Sequence, residues 1–282
     1  MSAQLLKGAP VAQALDEKTR EQAQALRGRG VVPSLGIVRV GERPDDMAYE
    51  RSVMRRAEKA GIEVRRVVLD EQTDQETLLA EIAALNDDAR VHGILLFRPL
   101  PAQLDEKAAC EAIAPAKDVD AATPASLTSV FTGTGEGFAP CTAQACIEVL
   151  DHYGIALDGA RVVVVGRSLV IGKPVAMLAL DRNATVSIAH SHTTDLARLT
   201  RDADIVIACA GHARLLGATC FTPGQVVLDV GINFVDGQMV GDVDTPGAAQ
   251  VAGAITPVPG GVGAVTTSVM LRHVVTAAQR LS

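Results

Sequence analysis

The sequence predicts an α/β protein with two domains, each built on a parallel β-sheet. The chain has 282 residues, which is enough for two separate hydrophobic cores. Short runs rich in valine, isoleucine and leucine alternate with segments of helical pattern, which is typical of repeated strand–helix units. In the segment Arg161–Pro174, four consecutive valines run directly into a glycine turn. An unbroken valine run is typical of a central parallel strand that is buried on both faces.

The first half of the chain is predicted to alternate helices and strands. In chain order we predict a helix at 11–27, a strand at 34–40, a helix at 46–60, a strand at 62–69, a helix at 75–86 and a strand at 93–97. Gly61 follows the second helix, at the position where glycine commonly ends a helix in the left-handed conformation. The segment 124–137, rich in glycine and threonine, is predicted to be a loop.

The second half is predicted to form a second domain. We predict a connecting helix at 142–153, strands at 161–165, 184–189, 204–209 and 226–230, and a last helix at 267–278 that packs back on the first domain. The predicted boundaries are therefore 1–140 together with 265–282 for the first domain, and 141–264 for the second.

The turn after the strand at 161–165 is a candidate phosphate-binding site. A tight turn from Gly166 to Gly172 leads into a helix, and the first backbone N–H groups of a helix are free to bind an anion. The spacing is Gly-x5-Gly and not the usual dinucleotide fingerprint, so the prediction depends on the strand before the turn and the helix after it.

The next strand indicates which dinucleotide is bound. NAD enzymes place an acidic residue near the end of this strand to hold the ribose 2′-hydroxyl, whereas a basic residue nearby accommodates the 2′-phosphate of NADP. Here the strand runs into HSHT (190–193) with no carboxylate before Asp195, and Arg167 is available from the turn. We therefore predict NADP. The alternative is that Arg167 and His190 are solvated turn residues.

Composition excludes several classes of function. A net charge of −7 and a pI of about 5.4 argue against a nucleic-acid partner. No apolar run approaches the length of a membrane span, and the first residues lack the pattern of a signal peptide. Five scattered cysteines without metal-ligand spacing indicate reduced thiols and no metal site. We therefore expect a cytoplasmic protein with a small-molecule substrate.

Longer motifs occur in a fixed order along the chain. They are GIL-x-x-x-PLP (93–101), KDVD (117–120), PCT (140–142), GRSLVIGKP (166–174), HSHT (190–193), DVGIN (229–233), GDV (241–243) and TPVPGGVG (256–263). By these motifs, nearly the whole chain resembles the bifunctional methylenetetrahydrofolate dehydrogenase/cyclohydrolase family. The resemblance implies a folate-binding catalytic domain, a Rossmann-type NADP domain, a cleft between the two, and a homodimer.

The resemblance and the turn argument together give a set of candidate site residues. The candidates for binding NADP are Gly166, Arg167, Ser168, Gly172, His190, Ser191, Thr193 and Ile232. The resemblance implies that Asp120 grips the amidine-like edge of the pterin in bidentate fashion, and that Tyr49 lies along the aminobenzoyl group. It also implies that Pro259, Gly260 and Gly261 close over the substrate. The alternatives are a turn cap for Asp120 and a helix core position for Tyr49.

The chain departs from the family's pattern around the reacting carbon. The family carries Tyr-x-x-x-Lys on one helix face, whereas here Tyr49 is followed four residues later by Val53. Phe97 and Arg98 stand where the family has glutamine and leucine. Further departures are Asp46 for serine, Ala121 for glycine, and Ala264 and Val265 for Pro-Met.

These departures predict which chemistry survives. Oxidation of the methylene bridge is a hydride loss without proton transfer, so it needs positioning and charge stabilisation. Opening the methenyl ring with water needs a group that exchanges a proton. Val53 cannot do this, and Arg98 stays protonated. We therefore predict an NADP-dependent dehydrogenase without cyclohydrolase activity, in which Tyr49, Asp120 and Arg98 are the candidate catalytic residues and Val53 and Phe97 also contact the substrate.

Two other functions remain open from the sequence. In the first, the protein is an NADPH-dependent reductase of a non-folate C=N substrate, with Phe97 as an apolar wall and Arg98 as a cation for an anionic group. In the second, it is a catalytically inactive subunit that binds NADP and regulates a partner. Cys141 lies beside Thr142 and has no neighbouring base in the sequence, so we expect a structural role for it.

Overall fold

The computed structural model describes residues 3–282 of the chain. Its helices are α1 (Gly8–Gly28), α2 (Pro44–Ala60), α3 (Gln75–Asp87), α4 (Glu106–Glu111), α5 (Pro124–Thr132), α6 (Cys141–His152), α7 (Gly172–Leu180), α8 (Leu196–Arg201), α9 (Thr245–Ala248) and α10 (Thr266–Leu281). Its strands are β1 (Gln4–Leu5), β2 (Ser34–Val40), β3 (Glu63–Leu69), β4 (Gly93–Leu96), β5 (Arg161–Val165), β6 (Thr185–Ala189), β7 (Ile205–Ala208), β8 (Val226–Asp229), β9 (Asn233–Val235), β10 (Gln238–Val240) and β11 (Ala254–Ile255). None of the helices in residues 3–282 is both long and apolar enough to cross a lipid bilayer.

The chain divides into two compact units. The first comprises residues 14–141 and 267–282, and the second comprises residues 3–13 and 142–266. Residues 3–13 were assigned by sequence to the first domain, but β1 pairs with β11 and so belongs to the sheet of the second unit. The boundaries of the functional domains stay a prediction.

The first unit contains a three-stranded parallel sheet in the order β3-β2-β4. All residues of β2 and β4 are buried, because helices pack over the sheet. Helix α3 contributes Leu78, Ile82 and Leu85 to this core. Next to β4, an isolated parallel bridge joins Ile94 to Asp118. The segment that follows Asp118 therefore lies close to the carboxyl end of the sheet.

The second unit contains six parallel strands in the order β1-β11-β8-β7-β5-β6. Strand β5 lies between β7 and the edge strand β6, and the valines at 162–165 are buried, as predicted. The chain pairs β6 with one side of β5 and then β7 with the other. This reversal of strand order is the point at which open parallel sheets bind ligands, at the carboxyl ends of their strands. Strands β9 and β10 form a separate antiparallel hairpin.

The predicted fold class is confirmed, with one wrong element. The segment 124–137 is not a loop throughout, because α5 occupies its first nine residues. The side chain of Thr123 accepts a hydrogen bond from the Ser126 N–H, Pro124 takes the first turn, and Gly133 ends the helix with a φ of 66°. These are ordinary helix start and stop signals, which the glycine and threonine content of the segment had obscured. Gly61 ends α2 in the left-handed conformation, as predicted.

Candidate active site

The turn between β5 and α7 brings backbone atoms close together. Gly166 has a φ of 133°, and a Cβ atom at this position would overlap the backbone of Cys209. A Cβ atom at Gly172 would overlap the Gly166 carbonyl. Ser168 Oγ accepts hydrogen bonds from the N–H groups of Ile171 (3.1 Å) and Gly172 (3.4 Å). Both glycines are therefore required for the turn, and Ser168 holds two backbone N–H groups at the start of the helix that follows.

A cavity of about 450 Å³ opens at the carboxyl ends of β5, β7 and β8. It is lined by Ser168 and Ile171 from the turn, by residues 209–211 after β7, and by residues 230–232 after β8. The cavity thus lies at the point where the strand order reverses. Its size is typical of a site for a small molecule or for part of a cofactor.

Two buried carboxylates hold the loops that form this cavity. Asp242 accepts hydrogen bonds from the three consecutive N–H groups of residues 210–212, at 2.6, 2.9 and 2.9 Å. Asp229 accepts from the N–H groups of Gly231, Asp242 and Val243, at 3.2, 2.9 and 3.0 Å. Burial, together with repulsion from Asp242, raises the pKa of Asp229 to about 6. The DVGIN and GDV motifs therefore supply the framework of the cavity wall.

Four of the predicted NADP residues line the cavity or are required by the geometry of its turn. Ser168 and Ile232 line the cavity, and Ile232 is 59% exposed. Gly166 and Gly172 shape the turn. The glycine cradle, the apolar side chain of Ile232 and the position at the carboxyl ends of the strands fit a dinucleotide whose phosphates approach the backbone closely.

The other four predicted NADP residues lie outside the cavity lining. Arg167 and Ser191 are exposed. His190 and Thr193 close a turn at the end of β6, because Thr193 Oγ1 accepts from the His190 N–H (2.8 Å) and the Thr193 N–H donates to the His190 carbonyl (2.8 Å). Contacts of these four residues with NADP stay a prediction.

Sequence reasoning missed most of the cavity wall. Cys209, Ala210 and Gly211 follow one strand, and Val230 and Gly231 follow the next, yet none of them was a candidate. Both strands were predicted from the sequence. The rule that ligands bind at the carboxyl ends of strands on either side of the switch point would have identified these residues.

The first unit brings together predicted substrate residues on α2 and directly after β4. Tyr49 and Val53 lie one turn apart on α2, and the Tyr49 ring packs on Phe97 with 5.4 Å between the ring centroids. Val53 and Phe97 are buried, whereas Tyr49 is 42% exposed. The phenol hydroxyl forms a hydrogen bond with Thr267. The crowding of protein around the hydroxyl and the charge of a nearby carboxylate raise the pKa of Tyr49 to about 12.

Asp120 forms an ion pair with Arg98. Arg98 Nη2 lies 3.8 Å from Asp120 Oδ2, and the two side chains are 31% and 36% exposed. Partial burial raises the pKa of Asp120, and the neighbouring Cys141 and the charge of Arg98 oppose that increase. A substrate can therefore reach a carboxylate that already has partners on the protein side.

The segment before Asp120 is fixed by two residues that sequence reasoning did not single out. Lys117 Nζ donates to three backbone carbonyls at the end of α3, at 2.7 to 3.0 Å. Asp118 accepts from the Ala122 N–H, from the N–H and hydroxyl of Thr123, and from the Ser126 hydroxyl, at 2.7 to 2.9 Å. The KDVD motif therefore contains two structural anchors before its last residue.

Cys141 is not an activated nucleophile, although a histidine lies near it. Its Sγ is 3.9 Å from Nδ1 of His273, but that nitrogen lies 2.9 Å from the Val119 carbonyl, which can only accept a hydrogen bond. Nδ1 of His273 is therefore the protonated nitrogen, and it cannot take a proton from the thiol. Burial raises the pKa of the Cys141 thiol well above its usual value. The predicted structural role of Cys141 agrees with these contacts.

The predicted substrate loop Pro259, Gly260 and Gly261 belongs to the second unit. The Gly8 N–H donates to the Gly260 carbonyl at 2.8 Å, so the loop is tied to the start of α1. Its role in substrate binding stays a prediction. No group of His, Cys, Asp and Glu side chains with the arrangement of a metal site occurs in the described part of the chain.

Two domain families match most of the chain. Residues 6–120 match the catalytic domain of tetrahydrofolate dehydrogenase/cyclohydrolase, and residues 140–282 match the NAD(P)-binding domain of the same enzymes. The curated bifunctional protein FolD 1 of Desulfitobacterium hafniense is 46% identical over 275 residues, which are 97% of this chain and 98% of that protein. A bifunctional protein FolD of Clostridium botulinum is 43% identical over 281 residues, 99% of this chain and 100% of that protein.

Solved structures of FolD enzymes are also similar to this chain. The bifunctional FolD enzyme of Campylobacter jejuni superposes with a TM-score of 0.94 at 37% identity, over 99% of each chain. FolD of Trypanosoma brucei, solved with NADP and an inhibitor, superposes with a TM-score of 0.90 at 35% identity, over 99% of this chain and 98% of that one.

Proposed function

Because the chain belongs to the tetrahydrofolate dehydrogenase/cyclohydrolase family, we propose that it interconverts 5,10-methylenetetrahydrofolate and 5,10-methenyltetrahydrofolate with NADP, and that it has lost cyclohydrolase activity. NADP supplies the acceptor for the hydride that leaves the methylene carbon. No proton leaves in this step, so the protein has to orient the substrate and stabilise charge. NADP binding, folate binding and the loss of cyclohydrolase activity are three parts of the proposal, and they rest on different residues.

The NADP part of the proposal rests on the turn after β5. The close approach of Gly166 and Gly172 leaves room for a pyrophosphate beside the backbone. Arg167 and Ser191 are exposed and provide a cation and a hydroxyl for the 2′-phosphate. Ile232 supplies an apolar surface at the cavity.

The folate part of the proposal rests on Asp120 and Tyr49. A pterin presents adjacent N–H donors, which a carboxylate accepts in bidentate fashion, and the partly exposed Asp120 carboxylate is available for them. The Tyr49 ring, held against Phe97, gives the aminobenzoyl group an aromatic surface. Arg98 keeps a positive charge beside Asp120, which favours the ionised carboxylate that the pterin requires.

The loss of cyclohydrolase activity rests on one observation: the side chains around Tyr49 are unsuited to exchange a proton near neutral pH. Val53 is apolar and fully buried, at the position where the resemblance implies lysine. The pKa of Tyr49 is raised to about 12, and that of Cys141 lies well above its usual value. Arg98 stays protonated, and Asp120 is committed to the pterin. The curated relatives are named as bifunctional, so this loss would distinguish the present chain from them.

The reductase alternative finds less support. That alternative requires Arg98 to be free to bind an anionic substrate. Arg98 Nη2 instead lies 3.8 Å from Asp120 Oδ2, in an ion pair. An inactive subunit would retain the cavity of the second unit without a need for the Asp120 cluster.

The test is to mix the purified protein with NADP and methylenetetrahydrofolate and to follow NADPH and methenyl absorbance together. We expect both to rise, and the methenyl product to decay no faster than in a protein-free sample. Decay at a rate typical of the family would refute the loss of cyclohydrolase activity. Absence of turnover with retained NADPH binding would refute the dehydrogenase proposal and favour a non-folate C=N substrate or an inactive subunit.

Asp120→Asn tests the folate site in the same assay. The substitution removes a charged acceptor, which is worth about 1.5–3 kcal/mol, so we expect kcat/KM for the folate to fall by roughly 10- to 100-fold. The NADPH dissociation constant should not change, because Asp120 lies in the first unit. Asp87→Asn, an exposed position at the end of α3, is the matched control and should leave both values unchanged.

A further inference from the structure

The backbone carbonyl before Asp120 is held by two side chains that lie far away in the sequence. His273 on α10 places Nδ1 at 2.9 Å from the Val119 oxygen, and Cys141 at the start of α6 places Sγ at 3.3 Å from the same atom. The peptide between Val119 and Asp120 contains this carbonyl. Fixing the carbonyl therefore fixes the orientation of the peptide plane and the direction in which the Asp120 side chain leaves the backbone.

His273 is itself held rigidly. Its ring stacks on Phe138 with 4.7 Å between the ring centroids and 29° between the ring planes. The Arg280 guanidinium lies over the Phe138 ring, 4.8 Å from its centroid. The imidazole is 6% exposed. Burial lowers its pKa to about 4, so it is neutral at physiological pH. A neutral imidazole with its proton on Nδ1 is a fixed donor to the Val119 carbonyl.

Lys117 and Asp118, the other anchors of this segment, leave one rotation free, which the hydrogen bonds from His273 and Cys141 to the Val119 carbonyl restrict. Lys117 fixes the start of the segment and Asp118 fixes the backbone at 122–123. Neither of them bonds to the peptide between Val119 and Asp120, which could rotate between these anchors. The hydrogen bond from His273, the shorter of the two bonds to the Val119 carbonyl, selects one orientation of that peptide together with the longer bond from Cys141.

We propose that His273 is a positioning residue, which orients the Asp120 carboxylate for the pterin by holding the carbonyl of Val119. The inference rests on the proposed function of Asp120 as the folate-binding carboxylate. His273 contacts neither substrate nor cofactor in this account. Its effect on the reaction passes through the peptide of Asp120, so its loss should weaken folate binding while leaving NADP binding intact.

The experiment compares His273→Ala, His273→Asn and Val275→Ala. Asparagine places an amide N–H close to the position of Nδ1 and can donate to the same carbonyl, so it is the rescue variant. Val275 is buried on the same helix, and because it lies two residues further on it points about 200° away from His273. It is the control for a general loss of packing in α10.

We expect His273→Ala to raise KM for methylenetetrahydrofolate by about 3- to 10-fold, the value of one hydrogen bond. The change in kcat should be smaller, and the NADPH dissociation constant should not change. His273→Asn should restore KM, and Val275→Ala should leave it unaltered even if it lowers the free energy of unfolding. Equal KM values in His273→Ala and the unaltered protein would overturn the inference.

A second readout does not depend on folate turnover. The Asp120 carboxyl carbon can be followed by NMR during an acid titration of protein labelled with 13C-aspartate, with Asp120→Asn to assign the signal. The midpoint should move toward the ordinary value of an aspartate in His273→Ala and return in His273→Asn. A midpoint unaffected by His273→Ala would overturn the positioning role. If the unaltered protein fails to oxidise the folate, the proposed function fails, but this titration still decides whether His273 orients Asp120.

Discussion

Ala121 occupies a backbone conformation that alanine rarely adopts. Its φ is 53°, and a Cβ atom in the left-handed region costs roughly 1–2 kcal/mol. Asp118 holds the next N–H, that of Ala122, at 2.8 Å, so the surrounding bonds maintain the strained residue. The resemblance implies glycine at this position, and glycine adopts a positive φ without this cost.

Ala121→Gly should therefore stabilise the protein. Glycine removes the strain of the left-handed alanine, but its larger entropy in the unfolded chain costs about 0.5–1 kcal/mol. The net effect is an increase of roughly 0.5 kcal/mol in the free energy of unfolding. Urea denaturation measures it. The control is Ala122→Gly, a residue without a positive φ, which should lose stability. Equal losses in both variants would show that Ala121 is unstrained.

Val53→Lys should introduce ring-opening activity. The residue is fully buried, so burial lowers the pKa of a lysine placed there and lets it exchange a proton nearer to neutral pH. We expect the rate of methenyltetrahydrofolate hydrolysis to rise by about 100-fold or more over the unaltered protein. The control is Val53→Met, which has a similar length and no exchangeable proton. Similar hydrolysis by the lysine and methionine variants would contradict the explanation.

Some residues around Tyr49 and Asp120 could be predicted from the sequence, whereas others could not, for a physical reason. Tyr49 and Val53 are one helical turn apart, so their common face could be predicted from spacing alone. His273 bonds to the carbonyl of a residue 154 positions away. A backbone carbonyl carries no sequence signal, so a side chain that binds it across such a separation cannot be predicted from local pattern.

At the scale of elements, the turn between β5 and α7 is the segment that we propose binds the phosphates of NADP. The strand itself was predicted with both ends correct, because four valines allow few other interpretations. The helix α5 was missed because composition was given more weight than its Thr-Pro start and its Gly133 end. Capping signals at both ends are therefore better evidence for a short helix than the average content of a segment.

Gly166→Ala tests the turn. A Cβ atom at this position would overlap the backbone of Cys209, and the φ of 133° disfavours any side chain. We expect the turn to open and the NADPH dissociation constant to rise by roughly 10-fold or more, equal to about 1.4 kcal/mol, as measured by fluorescence titration. Gly217→Ala is the control, since a Cβ atom there meets no atom within 4 Å. Equal affinities in the two variants would show that the turn is not the phosphate site.

At the scale of the whole molecule, two buried groups respond to pH in opposite directions. The pKa of His273 is lowered from 6.5 to about 4 in the folded protein, so the stability that it contributes above pH 6.5 is lost as the pH falls toward 4. The pKa of Asp229 is raised from 3.8 to about 6, so its contribution is present at low pH and is lost as the pH rises through 6. Each effect is on the order of 3 kcal/mol, at about 1.4 kcal/mol for each tenfold change in proton affinity. The two groups lie in different units of the chain.

Urea denaturation at two pH values separates the two contributions. Between about pH 7 and pH 4.5, His273→Asn should lose less stability than the unaltered protein, and Asp229→Asn should lose more. The comparison uses only the difference between the two pH values, so a uniform destabilisation by either substitution cancels. Parallel pH dependences in all three proteins would contradict both assignments.

The five cysteines have a practical consequence that follows from their burial. All five are buried free thiols, and burial raises the pKa of Cys110, Cys141, Cys146 and Cys209. A thiolate at the surface is what alkylating reagents and oxidants attack, so the native protein should withstand both without added reductant. Any labelling that does occur marks moments when the core has opened. The order in which the five cysteines react under mild alkylation would therefore show which part of the chain opens first.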